Sequence, residues 1–203
     1  MQFGTPVKDK PFGESFGSDN VDYLRTLKEG QSLVRFIYPL DSNGWIGYFE
    51  HFNPANKRSV PCLRDEDGSN SKCGACNSDS KDFRYASRKV ATNVQLVDKN
   101  IVIPIKMSQR LFEAIERRAE RDDGDVTKRD YLITRSGKGV DTTYDVDRED
   151  AYDADIDALQ DESSDVRTIL KGQYEDYWSK YGEEEPPLVK AVKKAKELDK
   201  PDF

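Results

Sequence analysis

Nowhere does the chain come near the ~18 consecutive apolar residues that a membrane-spanning helix needs, and residues 1–17 contain no apolar stretch of the kind that opens a secretion signal. The expectation is a soluble cytoplasmic protein with no membrane partner. Hydrophobic residues are scarce, at 35% of 203 against an average apolar usage of ~45–50%, and mean hydropathy is -0.85. The core must be small, and part of the chain is expected to stay unpacked. The usual catalytic motifs are missing too: there is one His, no Gly-rich phosphate loop, no Gly-x-Ser-x-Gly and no His-Glu-x-x-His. An enzyme would have to work with carboxylates alone, so none is expected. Three Cys cannot all pair, and a reducing cytosol does not keep disulfides, so any Cys cluster reads as metal binding or reactivity. No internal repeat is present.

Charge is abundant but unevenly placed. The net charge is -7 and Asp, Glu, Lys and Arg make up 35% of the chain. Residues 1–146 carry 23 basic and 22 acidic side chains, whereas 147–203 carry 9 basic and 17 acidic. A near-neutral body with an acidic C-terminal quarter remains compatible with nucleic-acid binding, which a uniformly acidic protein would not be.

Residues 1–18 hold three Phe and three Gly without any period and read as a flexible arm. A short helix is expected over 19–27. Two aromatic, β-branched runs, 33–38 and 45–52, flank a Ser42-Asn43-Gly44 turn and read as a hairpin. Residues 53–80 are polar and lack a period. The alternation of Val90, Thr92, Val94 and Leu96 marks a strand over 88–97, followed by another at 101–105. Ser108 caps a helix to about residue 121, and a last hairpin spans 131–146. About five strands with a single helix before the last hairpin fit a mainly β fold with some α: a small five-stranded barrel of the OB type over residues 19–146. Residues 147–165 read as an acidic linker and 166–203 as a helical, acidic C-terminal region. In the latter, Val166, Ile169, Leu170, Tyr174, Tyr177, Trp178 and Tyr181 recur at helical spacing ahead of Gly182. A further helix is expected over 188–198.

The one His and all three Cys fall between positions 51 and 76: His51, Cys62, Cys73 and Cys76. Structural zinc takes four such ligands tetrahedrally, and a C-x-x-C knuckle with Gly74 inside lets both sulfurs face one ion. A polar segment without a core, about 50–80, is what a bound ion can order, since metal-binding free energy becomes folding free energy. One structural Zn²⁺ in an inserted lobe is expected, with every coordination position filled and none open for a catalytic water.

Around this set lie Lys57, Arg58, Arg64, Lys72, Lys81, Arg84, Arg88 and Lys89, interleaved with Tyr48, Phe49, Phe52, Phe83 and Tyr85. Single-strand binders need both kinds, cations for the phosphates and aromatic faces for unpaired bases. For any one aromatic, a place in the core is equally open. The basic approach to the strand, Arg84-Tyr85-Ala86-Ser87-Arg88-Lys89, carries the signal best.

Taken in order, Gly30-Gln31-Ser32-Leu33-Val34-Arg35-Phe36-Ile37-Tyr38-Pro39, then His51, Cys62 and Cys73-Gly74-Ala75-Cys76, then a basic stretch into Asn93-Val94-Gln95-Leu96-Val97, resembles the tailed-phage single-stranded-DNA-binding proteins of the T-even helix-destabilising type. The resemblance spans roughly 25–146. It implies an OB-fold barrel carrying a zinc lobe, with single-stranded DNA held between them. It also implies Zn²⁺ on His51, Cys62, Cys73 and Cys76, and DNA contacts from Arg84, Tyr85, Arg88 and Lys89. Tyr144 sits where the family has an aromatic after a Gly turn, and Trp45, Tyr48 and Arg135, with Lys57 and Arg58, are further candidates. The implied function is sequence-tolerant protection of single strands in DNA replication, recombination and repair, in the host cell's cytoplasm if the gene is a bacteriophage's. Replication and recombination proteins would dock on the acidic C-terminal region. The family's basic N-terminal arm has no counterpart, since Lys8 and Lys10 are balanced by Asp9 and Glu14. The competing expectation is a zinc-stabilised protein-interaction adaptor that docks a partner through 147–165 and the aromatic helix, with no primary DNA role. A metallo-nuclease built on acidic clusters is a third.

Overall fold

In Gly30–Phe36 burial alternates along the strand, so Ser32, Val34 and Phe36 turn inward while Leu33 and Arg35 lie at the margin. This strand, β1, is the centre of the architecture in a computed structural model that describes residues 23–62, 73–122, 124–151 and 154–181. The remaining elements are β2 (Ile46–Asn53), β3 (Arg58–Pro61), α1 (Lys81–Arg84), β4 (Ala86–Leu96), β5 (Ile101–Ser108), α2 (Gln109–Ala119), β6 (Arg129–Ser136), β7 (Thr143–Ala151), α3 (Ile156–Asp161) and α4 (Val166–Tyr181). The fold is mainly β with a few helices: an open antiparallel sheet of seven strands in the order β3-β2-β4-β1-β6-β7, with β5 on β4. Among the described residues no pairing of β5 with β7 closes it.

The chain divides into two compact units, Met1–Gly47 with Arg88–Leu170, and Tyr48–Ser87 with Lys171–Phe203. The core of the first unit is built from β1, β4, β5, β6 and α2. Val34, Phe36, Val94, Ile105, Ile115, Tyr131 and Ile133 are all sealed from solvent within it. β1 pairs antiparallel with β4 (Val34↔Leu96) and with β6 (Leu33↔Leu132), which puts Phe36 edge-on to Tyr131 at 5.4 Å between ring centres. Helix α2 starts where Ser108 accepts a hydrogen bond from the Leu111 N–H at 3.3 Å, and it buries Leu111, Ile115 and Ala119, with Phe112 half-buried.

Several expectations are corrected here. Residues 33–38 and 45–52 do form strands, but they are not a hairpin, because both edges of β1 are taken by β4 and β6. Instead of the helix expected over 19–27, the described part, 23–27, is non-helical. The Arg25 N–H donates to the Pro104 carbonyl at 3.1 Å, and the Arg25 carbonyl accepts from the Lys106 N–H at 2.7 Å, so β5 satisfies the backbone that a helix would have used. Residues 19–22, the arm over 1–18, Gly182 and the helix expected at 188–198 lie outside the described residues.

The stretch 147–165, expected as an acidic linker, instead holds the end of β7, helix α3 and a loop tied to the first unit. Gln160 Nε2 donates to the Ile37 carbonyl at 2.6 Å, and the Tyr38 and Ser163 hydroxyls are 2.6 Å apart. The Asn93 side chain both donates to the Ser164 carbonyl (2.9 Å) and accepts from its N–H (3.2 Å). These polar contacts hold the segment where apolar side chains are few. They also cover Asn93 on β4, a strand that is buried at every position from Val90 to Leu96.

Candidate metal centre

β2 carries His51, whose cross-strand partner on β3 is Val60; both are fully buried. Past β3 the ladder continues as the Cys62 N–H donates to the Phe49 carbonyl at 2.7 Å. This places the Cys62 thiol beside the His51 ring. Residues 73–77 then turn tightly, with the Asn77 N–H and side-chain amide both donating to the Cys73 carbonyl (3.2 and 3.0 Å). The turn brings Cys73 and Cys76 to the same point.

The four ligand atoms lie within 4.8 Å of one another. Cys62 Sγ is 3.8 Å from Cys73 Sγ and 3.5 Å from Cys76 Sγ, and His51 Nε2 is 3.7 Å from Cys73 Sγ and 3.4 Å from Cys76 Sγ. With metal–sulfur bonds of about 2.3 Å and metal–nitrogen bonds of about 2.0–2.1 Å, a zinc tetrahedron has S···S edges of about 3.8 Å and S···N edges of about 3.6 Å. The four separations match those edges, so the cluster could hold one tetrahedral metal ion and is compatible with zinc. Nδ1 of His51 lies 2.9 Å from the Phe83 carbonyl. A carbonyl only accepts, so Nδ1 carries the proton and the Nε2 lone pair is left for the ion.

Phe83 sits on α1, which is capped by the Ser80 side chain accepting from the Phe83 N–H at 3.3 Å. Its ring packs against Tyr177 and Trp178 of α4, at 6.2 and 6.3 Å between centres. Trp178 also lies on the knuckle: a Cβ at position 74 would come within 2.8 Å of its indole carbons. Glycine at 74 is therefore required by this close approach. Burial lifts the phenol of nearby Tyr174 above its usual range, and the charges of the three cysteines add to the lift while the Gly74 N–H opposes it. The Phe83 carbonyl was not legible in the sequence. The stripe of Tyr174, Tyr177 and Trp178 was, but the surface it covers was not.

The candidate DNA contacts are distributed over both units. In the second unit Tyr85 is 73% exposed, directly after α1, and Arg84 and Lys57 are exposed while Arg58 is half-buried. In the first unit Arg88 is exposed and Lys89 half-buried at the start of β4. Tyr144 and Arg135 stand directly opposite each other across β7 and β6, and Arg135 Nη1 donates to the Leu27 carbonyl at 2.7 Å. Trp45 packs between Phe36 and Phe112, 5.3 Å from each, and its Nε1 donates to the Tyr38 carbonyl. The Tyr48 hydroxyl is buried, and burial raises it well above the normal phenol range, with the Glu50 carboxylate adding to the effect. Trp45 and Tyr48 are thus half-buried, whereas Tyr85 is exposed.

No helix among the described residues is long and apolar enough to cross a membrane. No known protein family matches the chain, and no curated protein matches it in sequence.

Proposed function

We propose that the protein binds single-stranded DNA without strong sequence preference and protects it during replication, recombination and repair. One structural Zn²⁺ on His51, Cys62, Cys73 and Cys76 orders the second unit. Bound there, zinc supplies folding free energy and no reaction, since four protein ligands leave no open position. The observation that carries the reading is Tyr85, a ring 73% exposed, next in sequence to exposed Arg84 and three positions before exposed Arg88. An exposed aromatic among cations is what a single strand needs, a face for a base and charges for its phosphates.

The resemblance to the tailed-phage single-strand binders rests on the same residues and supports the OB reading of the first unit. That reading is also supported by β1 lying between β4 and β6, and by α2 between β5 and β6. The acidic C-terminal region remains the proposed docking site for replication and recombination proteins. The adaptor reading is disfavoured by α4, because Tyr174, Tyr177 and Trp178, the aromatics a partner would want, already pack within the second unit's own core.

Each phosphate neutralised on a single strand contributes about -0.7 to the slope of log affinity against log salt. Substituting Arg84→Ala and Arg88→Ala together is expected to make that slope shallower by about 1.4. A slope identical to wild type would remove both arginines from the interface.

A further inference from the structure

Large apolar side chains that stay exposed among the described residues are Phe52 at 52%, Tyr85 at 73% and Tyr181 at 39%, all three in the second unit. Tyr181 has a ring neighbour, Tyr177, at 5.2 Å. Phe52 has none among the described residues, and its cross-strand partner on β3 is Ser59, exposed and too small to cover a phenyl ring. Successive strand residues face opposite ways, so with His51 turned into the metal cluster Phe52 is turned outward. The backbone at Phe52 is also held on both sides. His51 is fixed through its ring to the cluster and to the Phe83 carbonyl, and Asn53 Nδ2 donates to the Tyr177 hydroxyl at 2.8 Å. Asn56 Nδ2 reaches the same hydroxyl at 3.2 Å, which pins the hairpin turn.

We infer that Phe52 is a second base-stacking residue, which takes an unpaired nucleobase on its open face. The inference rests on the single-strand reading above and adds a residue to it. A ring on a backbone already fixed by its neighbours loses little freedom on stacking, and a phenyl face, having no hydrogen-bonding group, does not discriminate among bases. Charge supports this occupant: residues 51–62 include Lys57 and Arg58 and no acidic side chain, and Glu50, the one acid on β2, is buried, so the exposed charge of the hairpin next to the stacked base is positive.

The test compares Phe52→Ala, Phe52→Leu and Phe52→Trp with wild type, titrating the full, metal-loaded chain into a mixed-sequence single-stranded oligonucleotide at several salt concentrations. Loss of one stacked base corresponds to about a 5- to 150-fold weakening. Phe52→Ala and Phe52→Leu are expected to show that loss, leucine keeping apolar area but not the π face. Phe52→Trp is expected to retain affinity and to show fluorescence quenching by the oligonucleotide beyond that of wild type. The salt slope and metal content should be unchanged in all three, because no charge or ligand is removed. If wild type binds and Phe52→Ala binds equally well, the stacking role is overturned while the single-strand reading stands. If wild type itself does not bind, both fall. Altered self-association with unaltered DNA affinity would assign the ring to protein docking and also overturn the inference.

Discussion

Stripping the metal with a strong chelator, or replacing Cys76 by Ser, is expected to unfold the second unit and leave the first folded. The buried members of the second unit's core are Val60, Cys73, Ala75, Phe83 and Tyr177, and one of these is itself a ligand. So small a core cannot hold the polar segment that includes the knuckle. Structural zinc in comparably small domains supplies about 10–16 kcal/mol of apparent binding free energy at neutral pH, which is folding free energy where the apo form is unfolded. The first unit has its own core, of which Phe36, Ile105, Tyr131 and Ile133 are part, and no member of that core is a ligand. The two Trp report separately, Trp45 from the first unit and Trp178 from the second. Chelation is therefore expected to shift the emission of a Trp45→Phe variant to that of a solvated indole, while a Trp178→Phe variant changes little. Unchanged emission from Trp178 after complete metal removal would show that the lobe folds without an ion.

The next largest effect is expected at Asp130. Its carboxylate takes two hydrogen bonds from the Arg35 guanidinium, Nε at 2.8 Å and Nη2 at 2.9 Å, and Arg35 Nη1 donates to Gln95 Oε1 at 2.9 Å. The side chains of Arg35 and Asp130 are 14% and 12% exposed. Removing one member of such a buried pair leaves an uncompensated charge and costs about 3–5 kcal/mol, whereas replacing both by apolar residues of similar volume is often close to neutral. Asp130→Ala should thus lower the urea midpoint of the first unit strongly, and Arg35→Met with Asp130→Leu should recover most of the loss. A single variant within ~0.5 kcal/mol of wild type, the range of an ordinary surface substitution, would mean that water solvates Arg35 without its partner.

What the sequence shows and what it hides divides along physical lines. Local periodicity carried β4, α2 and α4: the helical recurrence from Val166 to Tyr181 coincides with the element observed, and Ser108 caps α2 as its position suggested. The metal set was legible because soft ligands are rare in this chain and four fall within 26 positions. Pairings made across long separations were not legible. That β1 lies between β4 and β6 rather than beside β2 depends on which edges are free once the sheet has formed. The order in 154–165 depends on Asn93 and Ile37, over a hundred residues away for the latter, and composition alone read it as linker. Likewise the exposure that singles out Tyr85 and Phe52 from Trp45 and Tyr48 is settled by packing, which residue type does not reveal.

The most direct test of the account is a titration of a fluorescent mixed-sequence single-stranded oligonucleotide, and of its duplex, with metal-loaded protein at two salt concentrations. The account predicts single-strand binding far tighter than duplex binding and falling with salt, because phosphate neutralisation releases counterions. Equal or absent binding to both, or affinity indifferent to salt, would contradict it.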